Sequence, residues 1–349
     1  MSPISYSRPP RRLTQKGLTL IELMIAMTIS LILVAGMAVL IAQTSSSRAE
    51  IDKSSRQIEN GRYAMTVLQD AIEHAGFYGF FSGDMTALTA LPDPCALTAA
   101  NINEALAMPI QGYDSPAAPP APLSACLPAA NHIPGTDIVV VRRLEATDSL
   151  PALASLVAGQ IYVQTTPFAK VTAIGPDPVP ATPTVYTLTN KDGSTPAPIR
   201  RFIAEIYFLS PCNVYAPSAT TCSQAADNGN PVPTLKRLET TVTGGAPAFQ
   251  TVALVEGIQN MQIDYRVDAG VPTAPPYVSS ISTIGDWPKV TALQVNILAR
   301  NTEQTGGYDG SNKTFTLGLS GSVGPFSDPF KRHVYSQVIR AINLSGPRE

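Results

Sequence analysis

From Leu23 to Ala42 the chain runs for twenty residues without a charge. At ~1.5 Å of rise per residue, a helix of that length spans roughly the 30 Å hydrocarbon core of a bilayer. Past Gln43 the sequence turns polar but keeps a helical period. Ile51, Ile58, Met65 and Ile72 fall seven apart with Leu68 between them, while Glu50, Lys53, Arg56, Glu59 and Asp70 lie mostly elsewhere. That spacing predicts an apolar stripe on one helix face. No proline occurs between Arg11 and Leu91, in a chain that holds 32 of them. One continuous helix from about Leu18 to about His74 is therefore expected, ending near Gly76 and Gly79. Its first half suits lipid, and its second half should lay the stripe on a globular domain.

The rest of the chain has two other textures. Residues 81–136 hold nine prolines among many alanines, which predicts a long, largely irregular excursion with helical turns around Asn103–Ala107. From Thr136 on, the sequence is strand-like. Asp137–Val141 is a short apolar run. Phe202–Leu209, Met261–Val267 and Leu293–Ile297 alternate between two sets of side chains. Strict alternation predicts antiparallel strands with one face buried, covered by the distal half of the helix. Trp287-Pro288 reads as an anchor at the start of a strand.

Composition sharpens this division. Of 349 residues only 14% are charged, and 24 basic residues against 26 acidic leave a net charge of −2, which argues against a strongly cationic nucleic-acid binder. A mean hydropathy of +0.08 is far too low for a polytopic membrane protein. Arg8, Arg11, Arg12 and Lys16 precede the apolar run, and no acid occurs in the first 17 residues. The positive-inside rule then keeps the N-terminus cytoplasmic and exports the chain beyond Ala42.

One acid, Glu22, sits directly before the uncharged run, between apolar residues. Glu22 is physically expensive there, at roughly 2.5 kcal/mol or more near a helix centre and less near its end. The surrounding residues, Lys16-Gly17-Leu18-Thr19-Leu20-Ile21-Glu22-Leu23-Met24-Ile25-Ala26, resemble the type IV prepilin (class III) signal. The resemblance implies that a prepilin peptidase in the membrane cuts between Gly17 and Leu18 and then methylates the new amine of Leu18. It implies that Glu22 pairs with the N-terminal amine of a neighbouring subunit when helices pack into a fibre. Leu18 stands where phenylalanine is usual, and the span lacks the proline frequent in major pilins. Loss of the leader would remove four cations and leave 20 basic against 26 acidic residues, an acidic exported chain.

Major pilins are usually about half this length. The size is similar to that of large minor pilins of the PilW type, and to J-type pseudopilins of type II secretion. Asn60-Gly61-Arg62-Tyr63-Ala64-Met65, Ala75-Gly76-Phe77-Tyr78-Gly79, Leu254–Tyr265, Val290–Arg300 and Val334–Leu344 resemble segments of the PilW family. The implied fold is α+β and type IV pilin-like, a long N-terminal helix packed on an antiparallel β-sheet headgroup. The implied segments are a cleaved leader over 1–17, the extended helix over 18–80 with its transmembrane part at about 20–42, the Pro/Ala-rich excursion over 81–136, and a β-rich periplasmic headgroup over 137–349. The implied role is structural: an inner-membrane protein that moves to the pilus tip and primes assembly with other minor pilins, the major pilin and often a tip adhesin. A J-type pseudopilin is the rival within the class. A signal-anchored exported enzyme is the rival outside it.

Four cysteines, Cys95, Cys126, Cys212 and Cys222, lie beyond the span, where an oxidising periplasm favours disulfides. Pairing sequence neighbours joins Cys95 to Cys126 and Cys212 to Cys222; two other connectivities stay open. Their spacing contains no C-x2-C and no nearby histidine, which argues against zinc. His74, His132 and His333 are scattered, and no Gly-x-Ser-x-Gly, P-loop or H-E-x-x-H occurs. Asp227–Asn230 and Gly306–Gly310 read as turns without the full calcium-loop spacing. No catalytic residue, metal or cofactor is expected.

Overall fold

The computed structural model describes residues 17–146, 155–176, 184–268 and 276–344. Arg8, Arg11, Arg12 and Lys16 lie outside them. The chain divides into two compact units, Met1–Asp52 and Lys53–Glu349. Helix α1, Leu20–His74, contributes to both.

In the first unit, α1 is exposed on all sides. It is the one helix among the described residues that is long and apolar enough to cross a membrane. Hydroxyls in and beside its apolar stretch bond back to the helix itself. Thr28 Oγ1 donates to the carbonyl of Ile25 at 2.9 Å, Ser30 Oγ to Ala26 at 2.7 Å, and Thr44 Oγ1 to Leu40 at 2.8 Å. Hydroxyls that bond back to their own helix leave no free donor for lipid to solvate.

The second unit is α+β. Helix α2 is Ala99–Ala105. The strands are β1 Ile110–Tyr113, β2 Ile138–Leu144, β3 Ile161–Thr165, β4 Lys170–Ile174, β5 Ile199–Ser210, β6 Thr234–Thr243, β7 Ala246–Glu256, β8 Ile258–Val267, β9 Val290–Arg300, β10 Phe315–Thr316, β11 Ser322–Val323 and β12 Arg332–Arg340. A seven-stranded sheet runs β1-β2-β5-β3-β4, with β6 joined to β5 and β7 joined to β6. A three-stranded sheet runs β12-β9-β8, and every pairing in both is antiparallel. Trp287 sits in a short 3-10 turn directly before β9, with its ring edge-on to Tyr265 at 5.2 Å.

The main core joins α1 to both sheets. Ala64, Met65, Leu68, Ala71 and Ile72 pack with Val139, Val141, Tyr207 and Leu209 of the large sheet and with Ile258, Ile263, Leu293, Val295 and Ile297 of the small one. The buried helix face begins later than the heptad spacing predicts. Ile51 and Ile58 are exposed, whereas Gln57 and Gly61 are buried. Packing thus follows the reach of the sheets, and the period alone does not reveal where that reach starts.

The expectation of one buried strand face also needs correction. β5 is buried without interruption from Ala204 to Ser210, and β2 from Ile138 to Arg142. Val139, Val141, Tyr207 and Leu209 face α1. The alternate set, Ile138, Val140, Ile206 and Phe208, packs with Leu123 and Leu127 from the proline-rich stretch. That stretch is therefore more than an irregular excursion. It supplies α2, the edge strand β1 and the cover of the sheet's second face. The helical turn expected around Asn103–Ala107 is α2, begun earlier by Thr98, whose Oγ1 accepts the N–H of Asn101.

Candidate functional site

The polar chemistry at the start of α1 is compact. The carboxylate of Glu22 accepts the N–H of Thr19 at 2.9 Å and the hydroxyl of Thr19 at 2.9 Å. The Glu22 N–H in turn reaches Thr19 Oγ1 at 3.3 Å. This reciprocal capping box satisfies orphan donors at the helix start. The first main-chain bond, Leu23 N–H to the Thr19 carbonyl at 3.1 Å, follows from it. Glu22 is thus ordered by its own chain, three residues past Thr19, and remains exposed.

Gly17 and Leu18 precede the helix and are exposed. A Cβ built at Gly17 would meet nothing within 4 Å, so folding places no demand for glycine there. Leu18 is 78% exposed. Lys16, the third processing candidate, lies outside the described residues.

The cysteines sit in the second unit. Cys95 bonds to Cys126 and Cys212 to Cys222, with Cα separations of 5.6 and 5.7 Å. The first bridge ties the segment before α2 to the turn that carries Leu123, under the second sheet face. The second closes the loop after β5. Asp227 organises that loop, accepting the N–H groups of Asn213, Val214 and Val232. Its left-handed backbone and that of Asn228 fit the expected turn. No cysteine is free among the described residues.

The histidines do not converge. His74 Nδ1 lies 2.8 Å from the Asp70 carbonyl at the end of α1, His132 is buried beside Thr136, and His333 stacks edge-on against Tyr335. Among the described residues no group of three or more His, Cys, Asp or Glu is gathered as a metal site.

A set of polar contacts and one glycine fixes α1 to the sheets, and Gln57 among them is not singled out by the sequence patterns. Gln57 Nε2 donates to the carbonyls of Ala299 at 2.8 Å and Lys331 at 3.1 Å. Asn60 Nδ2 donates to the carbonyl of Glu256 at 3.1 Å. Gly61 lies against the ring of Tyr335. Asn343 Nδ2 reaches the carbonyls of Glu73 and Ala75. The Asn60-Gly61 dipeptide is legible as a motif, but its partners are not.

Two buried ionisable groups also escape the sequence patterns. Arg142 is 2% exposed and donates to the Met108 carbonyl and to Gln111 Oε1. Desolvation pulls its pKa down to about 10. Asp137 accepts the N–H groups of Ser115 and Ile263, each at 2.7 Å. Burial outweighs those bonds and pushes its pKa up to about 7.

The chain therefore has the parts of a type IV pilin: a capped apolar helix that leads into an α+β head. Residues 12–38 match the family described as the prokaryotic N-terminal methylation motif. Residues 222–343 match the family described as PilW, Type IV Pilus-assembly protein W. Together the two matches support a PilW-type type IV pilin. The first match contains Gly17, Leu18 and Glu22. The second covers β6 to β12 and with them the small sheet beneath α1. A comparison with curated proteins finds no match.

Proposed function

We propose that this pilin is a minor subunit, processed after Gly17, that incorporates at the tip of a type IV pilus and primes assembly with other minor pilins. In this reading prepilin peptidase removes residues 1–17 and methylates the amine of Leu18. The apolar part of α1 then holds the chain in the inner membrane, with its head in the periplasm. The observation that carries the proposal is a methylation-motif helix joined to a head unit as large as Lys53–Glu349. A wide head is hard to surround in a narrow helical fibre, so it suits an end position.

The residues fit the steps. Gly17 is free of folding constraints, so its identity is available to a peptidase that must approach the backbone closely. Cleavage creates a cationic amine beside the Thr19–Glu22 cap. In hydrocarbon an unpaired carboxylate is unfavourable, so Glu22 would exchange Thr19 for the amine of a neighbouring subunit as helices bundle. Register and incorporation would follow from that exchange. The role is structural, with no catalysis by the chain.

Immunogold labelling of the full-length chain on intact fibres tests the proposal. Label confined to fibre ends, with pili lost on deletion, is the expected result. Label along the shaft refutes the tip position. Intact pili with lost protein secretion would place the chain among J-type pseudopilins instead.

A further inference from the structure

β7 has a free edge of unusual character. Among the described residues it pairs only with β6, and its eleven residues carry no charge before Glu256. Natural edge strands are usually short, charged or covered. β12 carries Arg332, His333 and Arg340, β4 has five residues and starts at Lys170, and β8 is bridged by Val278 and Asp137. β7 has only Pro247 near its start.

The hairpin phase fixes which groups face outward. β6 and β7 are joined by the two-residue loop Gly244-Gly245, both at positive φ, closed by the pair Thr243 and Ala246. In such a hairpin the closing pair is hydrogen-bonded, and bonded and non-bonded pairs then alternate. Ala248, Gln250 and Val252 therefore bond to β6. Phe249, Thr251 and Ala253 point their N–H and C=O groups away from it. None of these outward groups has a partner among the described residues. Pro247, also in the outward phase, has no N–H to offer. A register shift between Leu235 and Lys236 ends the regular stretch beyond Ala253.

We infer that this edge takes the same strand of a second copy of the chain, antiparallel, about a two-fold axis at Thr251. That register sets Thr251 opposite Thr251, Phe249 opposite Ala253 and Ala253 opposite Phe249. Every outward N–H then meets an outward C=O, giving six main-chain bonds. A two-fold centred one residue earlier would also give six bonds, but it would set Pro247 opposite Ala253 and leave each Ala253 carbonyl without a donor, whereas the register at Thr251 satisfies every group from Phe249 to Ala253. The side chains agree: large meets small at Phe249–Ala253, and Ala248 falls opposite Leu254. Thr–Thr pairs are favourable across strands. The two Glu256 carboxylates lie at opposite ends, so no like charges meet. The face that carries Phe249 and Thr251 opens on a groove lined by Cys95, Leu97, Cys126 and Leu238, where the partner's alternate side chains would lie. An isologous contact of this size is weak in dilute solution and gains from confinement in one membrane.

The test uses the full-length chain. Its native cysteines are all bridged, so a single added cysteine reports position. In an antiparallel bonded pair the Cα atoms stand ~5.5 Å apart, within disulfide range, whereas two Gln250 residues in this register stand beyond ~7 Å. Thr251→Cys should form a covalent dimer on a non-reducing gel at least roughly fivefold more than Gln250→Cys. Light scattering in detergent micelles should show a concentration-dependent dimer that Thr251→Ser keeps and Thr251→Lys abolishes, since the lysine sets two ammonium groups face to face at an exposed site. A chain that stays monomeric at high concentration overturns the inference. So do equal crosslinking at 250 and 251, or a dimer indifferent to Thr251→Lys. Binding of a different chain to this edge with no self-pairing would also count against it.

Discussion

Gly61 of α1 lies directly against the ring of Tyr335 on β12. A methyl group placed there would overlap Cε2 of Tyr335 and lie 2.6 Å from its Cζ. Carbon atoms prefer ~3.5–4.0 Å, so the ring would have to withdraw by more than roughly 1 Å. It has little room, because His333 stacks edge-on against it at 4.8 Å. Overpacking of this kind costs about 1–3 kcal/mol. Gly→Ala within a helix otherwise gains about 0.8–1.0 kcal/mol. The two effects oppose each other, so the single variant Gly61→Ala is a weak test. A four-protein cycle with Tyr335→Ala is a strong one. Once the ring is gone, only the helix gain remains, and Gly61→Ala should then stabilise. The coupling should be about 1–3 kcal/mol, or ~2 °C in Tm per kcal/mol for a unit of this size. Thermal unfolding of the full chain in detergent, followed by circular dichroism, measures it. If Gly61→Ala raises Tm equally in both backgrounds, the close approach is not what requires glycine here.

Glu22→Ala should leave cleavage after Gly17 intact, while its amount in sheared fibres falls at least roughly tenfold, equivalent to ~1.4 kcal/mol; normal incorporation contradicts the pairing role. Gly17→Leu should leave the larger precursor on a gel, and a mature-sized band would be decisive against processing at that bond. Opening the Cys95–Cys126 bridge by paired serine substitution should cost about 3–4 kcal/mol for its 31-residue separation, read as a fall in Tm, and mass spectrometry of the unreduced wild type should find no free thiol. Asp137 has a folded pKa raised from 3.8 to about 7 by burial. Between those values the unfolded chain gives up its proton first, so stability falls as pH rises from about 4 to about 7, by up to ~1.4 kcal/mol per pH unit. His132, lowered by its own burial, acts in the opposite direction. The difference in Tm between wild type and Asp137→Asn therefore isolates the effect, and parallel Tm–pH curves for the two would refute it.

The two ends of this molecule differ in how far a linear reading reaches. The start of α1 matches a motif written in consecutive residues, with a glycine before the helix and an acid five positions past it. Those features are fully present in the order of the residues, so Gly17, Leu18 and Glu22 stand out in the sequence itself. Strands β2, β5, β8 and β9 are also legible, because an apolar run or a two-residue alternation is a local pattern. The hidden features depend on partners far away in sequence. Gln57 is polar, yet it is buried because two carbonyls from β9 and the segment before β12 receive its amide. Ile51 and Ile58 are apolar, yet they are exposed. Hydropathy scores both cases the wrong way round. The proline-rich stretch reads as irregular because proline breaks periodicity, but Leu123 and Leu127 need no period to cover a sheet. Arg142 depends on the same stretch. It lies on a strand, with its charge met by the Met108 carbonyl and Gln111, both supplied by those residues. A buried guanidinium that relies on loop acceptors makes the stretch part of the core, so removing its cover should unfold the large sheet rather than merely trim the surface.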